Sequence, residues 1–120
     1  MKTIYKFLLS VTMAIAFLLI SSTTVSAQAK KATPAEIAAG KTLISKSDCL
    51  ACHKVDAKLV GPSYKDVAKK YAAIEANYDL LSQKVIKGGS GSWGPIPMSA
   101  HSSLKPDDAK KMIKYILSIK

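Results

Sequence analysis

Residues 49–53 read Cys49-Leu50-Ala51-Cys52-His53. Two cysteines two residues apart, followed at once by a histidine, have the spacing at which haem is attached covalently. Cys49 and Cys52 are placed to form thioethers with two vinyl groups of one haem from a single turn of chain. His53 then offers a ring nitrogen to the iron, which imidazole suits as an axial ligand. Other uses of such cysteines need features this chain lacks or leaves idle. A thioredoxin-like pair needs a βαβ context, and no strand pattern is evident. A zinc site needs further ligands, and His101 is the one other nitrogen donor of that type. A disulfide between Cys49 and Cys52 would give the adjacent histidine no role.

Upstream of the motif the chain predicts an export signal. Lys2 and Lys6 precede an uncharged apolar stretch, Phe7 to Ile20, which has the length of a signal-peptide core and is short for a membrane span. Val25-Ser26-Ala27 is a small-x-small cleavage site, so a signal peptide 1–27 and a domain 28–120 are expected. Retention of the stretch as an anchor is the alternative. No cysteine follows it, which argues against a lipoprotein. Export to the periplasm agrees with covalent haem attachment, which takes place outside the bacterial cytoplasm, and no stable membrane insertion is expected once the signal is cleaved.

The 93 residues that would remain form one small domain, which buries a modest share of its surface. A haem at the centre would supply apolar bulk. Basic charge is carried by 18 lysines and no arginine. Without Lys2 and Lys6, 16 lysines face 8 acidic residues, a charge of +8 before any cofactor. Such a surface steers acidic partners, or simply keeps the protein soluble. Nucleic acid is not expected, because the lysines are spread over every helix rather than clustered.

The spacing predicts a first helix from Pro34 to about Lys46. Thr33 and Glu36 form a capping box, Pro34 suits the first helical position, and Ile37, Gly40 and Ile44 share one face. Gly40 inside a helix costs about 1 kcal/mol against alanine, which implies a close helix crossing. A second helix is expected from Ser63 to about Ala73, with Tyr64, Val67 and Tyr71 on one face. A third is expected from Tyr78 to Lys87, capped by Asn77, ended by Gly88, and turning Leu81 and Val85 inward. From Gly88 to Lys105 no periodic pattern is visible, and Pro95 and Pro97 break any helix. A last helix starts near Pro106 and buries Met112, Tyr115, Ile116 and Ile119.

The long irregular stretch contains Met98, 45 residues past His53. Met1 and Met13 lie in the export signal, and Met112 lies on an apolar helix stripe where packing accounts for it. Prolines before Met98 stiffen the segment that presents it. A thioether favours reduced iron, and with histidine opposite it raises the haem potential. Met98 is therefore the expected sixth ligand. His101 is the rival, and an open sixth position would instead admit gases or peroxide.

Taken together, Cys49-Leu50-Ala51-Cys52-His53, Val60-Gly61-Pro62 and Trp93-Gly94-Pro95-Ile96-Pro97-Met98 resemble the small bacterial class I cytochromes c, of the short periplasmic type that donates electrons in respiration and denitrification. The resemblance covers nearly all of residues 28–120. It implies an all-α fold of four to five short helices around one covalent haem c and its iron, with the N- and C-terminal helices crossing at Gly40 and Tyr115. It implies that the Pro62 carbonyl accepts the second N–H of His53, and that the Trp93 indole donates to a haem propionate. Lys105-Pro106 departs from the usual Ser/Thr cap before the last helix. The function implied is that of an electron carrier, not an enzyme; a monomer is the default expectation, with a dimer left open. Its partners would be redox proteins with acidic docking surfaces: an oxidase, reductase, peroxidase or dehydrogenase. A haem-based sensor or small-ligand binder with a labile sixth ligand is the alternative.

Overall fold

Thr33 starts the first helix as its sequence predicts. Its side chain accepts from the Glu36 amide at 3.3 Å, and the Glu36 carboxylate accepts from the Thr33 amide at 2.8 Å. That reciprocal cap opens α1, Pro34–Ser45. A single 3-10 turn, Cys49–Ala51, follows directly. The computed structural model describes residues 31–119. The signal peptide expected at 1–27, its expected cleavage point and residues 28–30 of the expected leader lie outside the described residues.

Three further helices complete the set: α2, Tyr64–Lys70; α3, Glu75–Lys87; and α4, Pro106–Ser118. The fold is all-α, with one small hairpin between α3 and α4. Ser63 caps α2, its hydroxyl accepting from the Asp66 amide at 3.0 Å and donating to the Asp66 carboxylate at 2.7 Å. Among the described residues no helix is long and apolar enough to cross a membrane.

Helix α4 organises the packing, lying against α1, α2 and α3. Ala109, Met112, Ile113, Ile116 and Leu117 on α4 are buried with Ile44 of α1, Tyr64 of α2, and Tyr78 and Leu81 of α3. Tyr115 and Ile119, expected inside, are half-buried at the margin of this core. The crossing of α1 and α4 is as close as Gly40 implies. A Cβ at Gly40 would collide with the Lys111 carbonyl and stand 3.0 Å from the Tyr115 Cβ.

Three expectations need correction. The segment after Gly88 is not patternless: β1, Gly89–Gly91, pairs antiparallel with β2, Gly94–Met98, in the register Gly89↔Met98 and Gly91↔Gly94, with an irregularity between. Glycines at positive φ (Gly88, Gly89, Gly91, Gly94) turn the chain, and the prolines fall between the paired positions of β2, where a missing N–H is tolerated. Helix α2 stops at Lys70, three residues early, because Tyr71 is already extended. Helix α3 starts at Glu75, and its cap is Ile74, without a side-chain bond. Asn77 does not cap it; its amide donates to the Ala72 carbonyl at 2.8 Å and closes the α2–α3 turn.

Candidate functional site

The end of α1 delivers the motif. The His53 and Cys52 amides both donate to the Cys49 carbonyl, at 3.0 and 3.2 Å, so the five residues are wound into one tight turn. Cys49 is half-buried and Cys52 exposed, and the two are not joined to each other as a disulfide. The next segment folds back on the motif, with the Gly61 amide donating to the Cys52 carbonyl at 2.9 Å and the Tyr64 amide to the Lys54 carbonyl at 2.9 Å.

This return sets the His53 ring. Its Nδ1 is 2.8 Å from the Pro62 carbonyl oxygen. A carbonyl only accepts, so Nδ1 carries the hydrogen and Nε2 is left with its lone pair free for a metal. Gly61 presses on the same ring: a Cβ there would collide with Cε1 and stand 2.8 Å from Nδ1. On another side the Tyr64 ring stacks on His53, centroids 5.6 Å apart and planes 22° apart. Burial pushes the Tyr64 phenol above its ordinary pKa, so Tyr64 stays neutral beside the histidine.

Two hollows open beside His53. The inner one, about 710 Å³ including space open to solvent, is lined almost wholly by apolar groups from all four helices, with Trp93 and Lys84 at its edge. The outer one, about 680 Å³ on the same basis, lies between the Val60–Pro62 return and the Ile96–His101 segment. Cys49, His53 and Met98 line both. The sequence-predicted attachment and ligand residues are therefore brought to one place, where an apolar hollow meets a more polar one.

The remaining candidates fall as follows. Trp93 lies in the hairpin turn, its ring on the inner hollow and partly exposed. Met98 ends β2. His101 lines the outer hollow, but its Nε2 is 3.3 Å from Asp48 Oδ1, and its Nδ1 is buried without a partner. Met112 is buried in the core and shows one side to the inner hollow. Among the described residues no three of His, Cys, Asp and Glu converge as a metal cluster, so a zinc reading finds no ligand set. A large planar apolar group with two thiol attachment points, one imidazole nitrogen and one thioether sulfur suits this donor set and these walls.

The sequence reading missed two contributors. Tyr64 was expected only as part of a helix face; its place two residues after Pro62 is the signal for its stacking on His53. Lys84, expected only as a helix lysine, reaches the rim of the inner hollow, and no local pattern marks it.

Residues 37–120 match the family described as Cytochrome c. The chain is 46% identical over 82 residues to cytochrome c-552 of Hydrogenobacter thermophilus, covering 68% of this chain and 83% of that one. It is 41% identical over 80 residues to cytochrome c-551 of Pseudomonas aeruginosa, covering 67% and 76%. Among solved structures, the crystal structure of Nitrosomonas europaea cytochrome c552 superposes with a TM-score of 0.62 at 41% identity, over 67% of this chain and 99% of that one. The class 1 cytochrome MtoD of Sideroxydans lithotrophicus superposes at 0.55 with 29% identity, over 69% and 95%.

Proposed function

This chain belongs to the cytochrome c family, its cofactor is a covalently bound haem c with iron, and from that premise we propose that it is an exported, periplasmic one-electron carrier with His53 and Met98 as the axial ligands. Bound haem supplies a one-electron iron couple. The observation that carries this reading is that Cys49, His53 and Met98 all stand where the two hollows meet.

On this reading the chain's own groups do four things. Cys49 and Cys52 tether the cofactor. His53 presents Nε2, with Pro62 holding the ring and strengthening its basicity through the Nδ1 hydrogen. Met98 would hold the iron through its sulfur and leave no position open to substrates, which suits a carrier rather than an enzyme. The apolar inner walls exclude water, and Trp93 at the edge is available to donate its indole hydrogen to a propionate.

The partner surface follows from the outer hollow. Ile96 and Val60 on its rim are 62% and 48% exposed, and Cys52 beside them is exposed. Lys54 and Lys58 are exposed nearby in sequence. An apolar patch with lysines near it suits a brief contact with an acidic redox protein, here an oxidase, reductase, peroxidase or dehydrogenase. The export signal expected at residues 1–27 places that exchange in the periplasm, with the mature chain a monomer.

The test is spectroscopic and kinetic. The oxidised protein should show the weak far-red band of sulfur-to-iron charge transfer, and the reduced protein should resist carbon monoxide. Electron exchange with an acidic redox protein should slow as ionic strength rises, because steering between exposed charges is screened within about 10 Å at 0.1 M salt. A high-spin spectrum with ready carbon monoxide binding would reject the carrier in favour of a ligand sensor, and a flat salt profile would remove the role given to lysine.

A further inference from the structure

The hairpin that carries Trp93 and Met98 has few side chains of its own to hold it. All of β1, Gly89-Ser90-Gly91, is exposed, as are Pro95, Ile96 and Pro97 in β2. A Cβ added at Gly89, Gly91 or Gly94 would meet nothing within 4 Å, so these glycines serve the turn and not packing. A two-stranded hairpin alone is marginal in water. Its base is fastened to α3: Gly88 lies tightly against the Met98 carbonyl and the Ala100 amide, and the His101 amide donates to the Val85 carbonyl at 3.2 Å. Its tip is met from α2. The Lys70 ammonium donates to the Ser92 carbonyl at 2.7 Å and stands 4.3 Å from the centroid of the Trp93 ring and 5.6 Å from that of Tyr71.

We infer that Lys70 is a positioning residue whose ammonium pins the hairpin tip to the end of α2 and so holds Trp93 against the inner hollow and Met98 in place. Three physical effects converge on that one group. A charge-assisted bond to a backbone carbonyl fixes the turn whatever side chain stands at position 92. Indole is the best ring for a cation, and the ammonium lies well within range of its face. The last turn of a helix favours positive charge, and Lys70 is the last residue of α2. Lysine is otherwise a mobile, solvated side chain, so a lysine held by all three is committed to the hairpin and is lost to the pool that steers partners.

The inference rests on the proposed ligand role of Met98 for its spectroscopic readout and not for its structural one. The experiment compares the haem-loaded oxidised protein with Lys70→Met, Lys70→Arg and Trp93→Leu. Amide hydrogen exchange across residues 89–98 should quicken about tenfold in Lys70→Met, the loss of one charge-assisted bond and one cation–π contact. Exchange in α1 and α4 should stay as in the parent. The far-red band should then disappear on heating before the helical signal does. Lys70→Arg retains both contacts and should behave as the parent, and Trp93→Leu, which keeps only the carbonyl bond, should fall between. The potential is not the deciding readout, because removing any nearby positive charge moves it. Hairpin exchange in Lys70→Met within about twofold of the parent would overturn the inference. If Met98→Ala kept the far-red band, the ligand assignment would fail while the exchange data still decided Lys70.

Discussion

Lys114 of the last helix donates to Glu36 of the first at 2.7 Å, with the lysine side chain only 8% exposed and the glutamate 30%. The lysine ammonium also lies 5.5 Å from the Tyr78 ring centroid. The bond from Lys114, then those from Thr33, lower the Glu36 pKa from 4.5 to about 2. A carboxyl depressed in the folded state adds stability above its unfolded pKa, and that stability drains as pH falls through the folded one. Between pH 4.5 and 2 the protein should therefore lose thermal stability faster than Glu36→Gln does. Melting curves of the two at pH 7, 4 and 2.5 check this; parallel loss would show that the pair contributes nothing.

A methyl group at position 40 has no room. Gly40→Ala would drive a Cβ into the Lys111 carbonyl and against Tyr115. Backbone cannot step aside as a flexible side chain can, so α1 and α4 must separate. Overpacking of this kind costs about 1–3 kcal/mol, which in a domain of this size lowers the melting temperature by roughly 5 °C or more. Calorimetry on the variant measures it; an unchanged midpoint would mean that the crossing is looser than the contacts indicate.

At the motif, Gly61→Ala should disturb His53 before anything else. The new Cβ would lie 2.9 Å from Nε2 and closer still to the ring edge. Either the ring tilts or the return loop lifts, and in both cases the Nδ1–Pro62 bond lengthens. A weaker bond makes the imidazole a poorer donor to oxidised iron, so the reduction potential should rise. Loss of a bond worth about 1 kcal/mol corresponds to roughly 40 mV for one electron. Voltammetry reads this directly, and a potential equal to that of the parent would reject the positioning role of Gly61.

Met98→Ala should leave the haem covalently attached through Cys49 and Cys52 but remove the far-red band and let the reduced protein bind carbon monoxide. His101→Ala should leave both properties as they are, since the His101 Nε2 lies against Asp48. A parent protein that lacks the band, and in which His101→Ala rather than Met98→Ala opens the reduced iron to carbon monoxide, would reverse the assignments.

Short-range and periodic features were legible from the residues alone. The attachment motif, the Thr33–Glu36 cap, the Ser63 start of α2, the buried face of α4 and the close approach at Gly40 depend on neighbours within a few positions or on a repeat near 3.6. The resemblance carried in Val60-Gly61-Pro62 foretold the Pro62 bond to His53, because that loop and the ring are nine residues apart and share one turn-back. The tertiary structure alone decided what joins distant segments. Lys70 meets Ser92 across 22 positions, Lys114 meets Glu36 across 78, and Lys110 bonds to Glu75 and Asp79, which raises the lysine's pKa and ties α4 to α3. The hairpin and the early start of α3 belong with these. Glycine, serine and proline show no apolar alternation, and Ile74 is no preferred cap, so both elements form where packing against the rest of the chain favours them. A lysine's partner is set by where its long side chain can reach once the helices have docked, and local sequence holds no record of that.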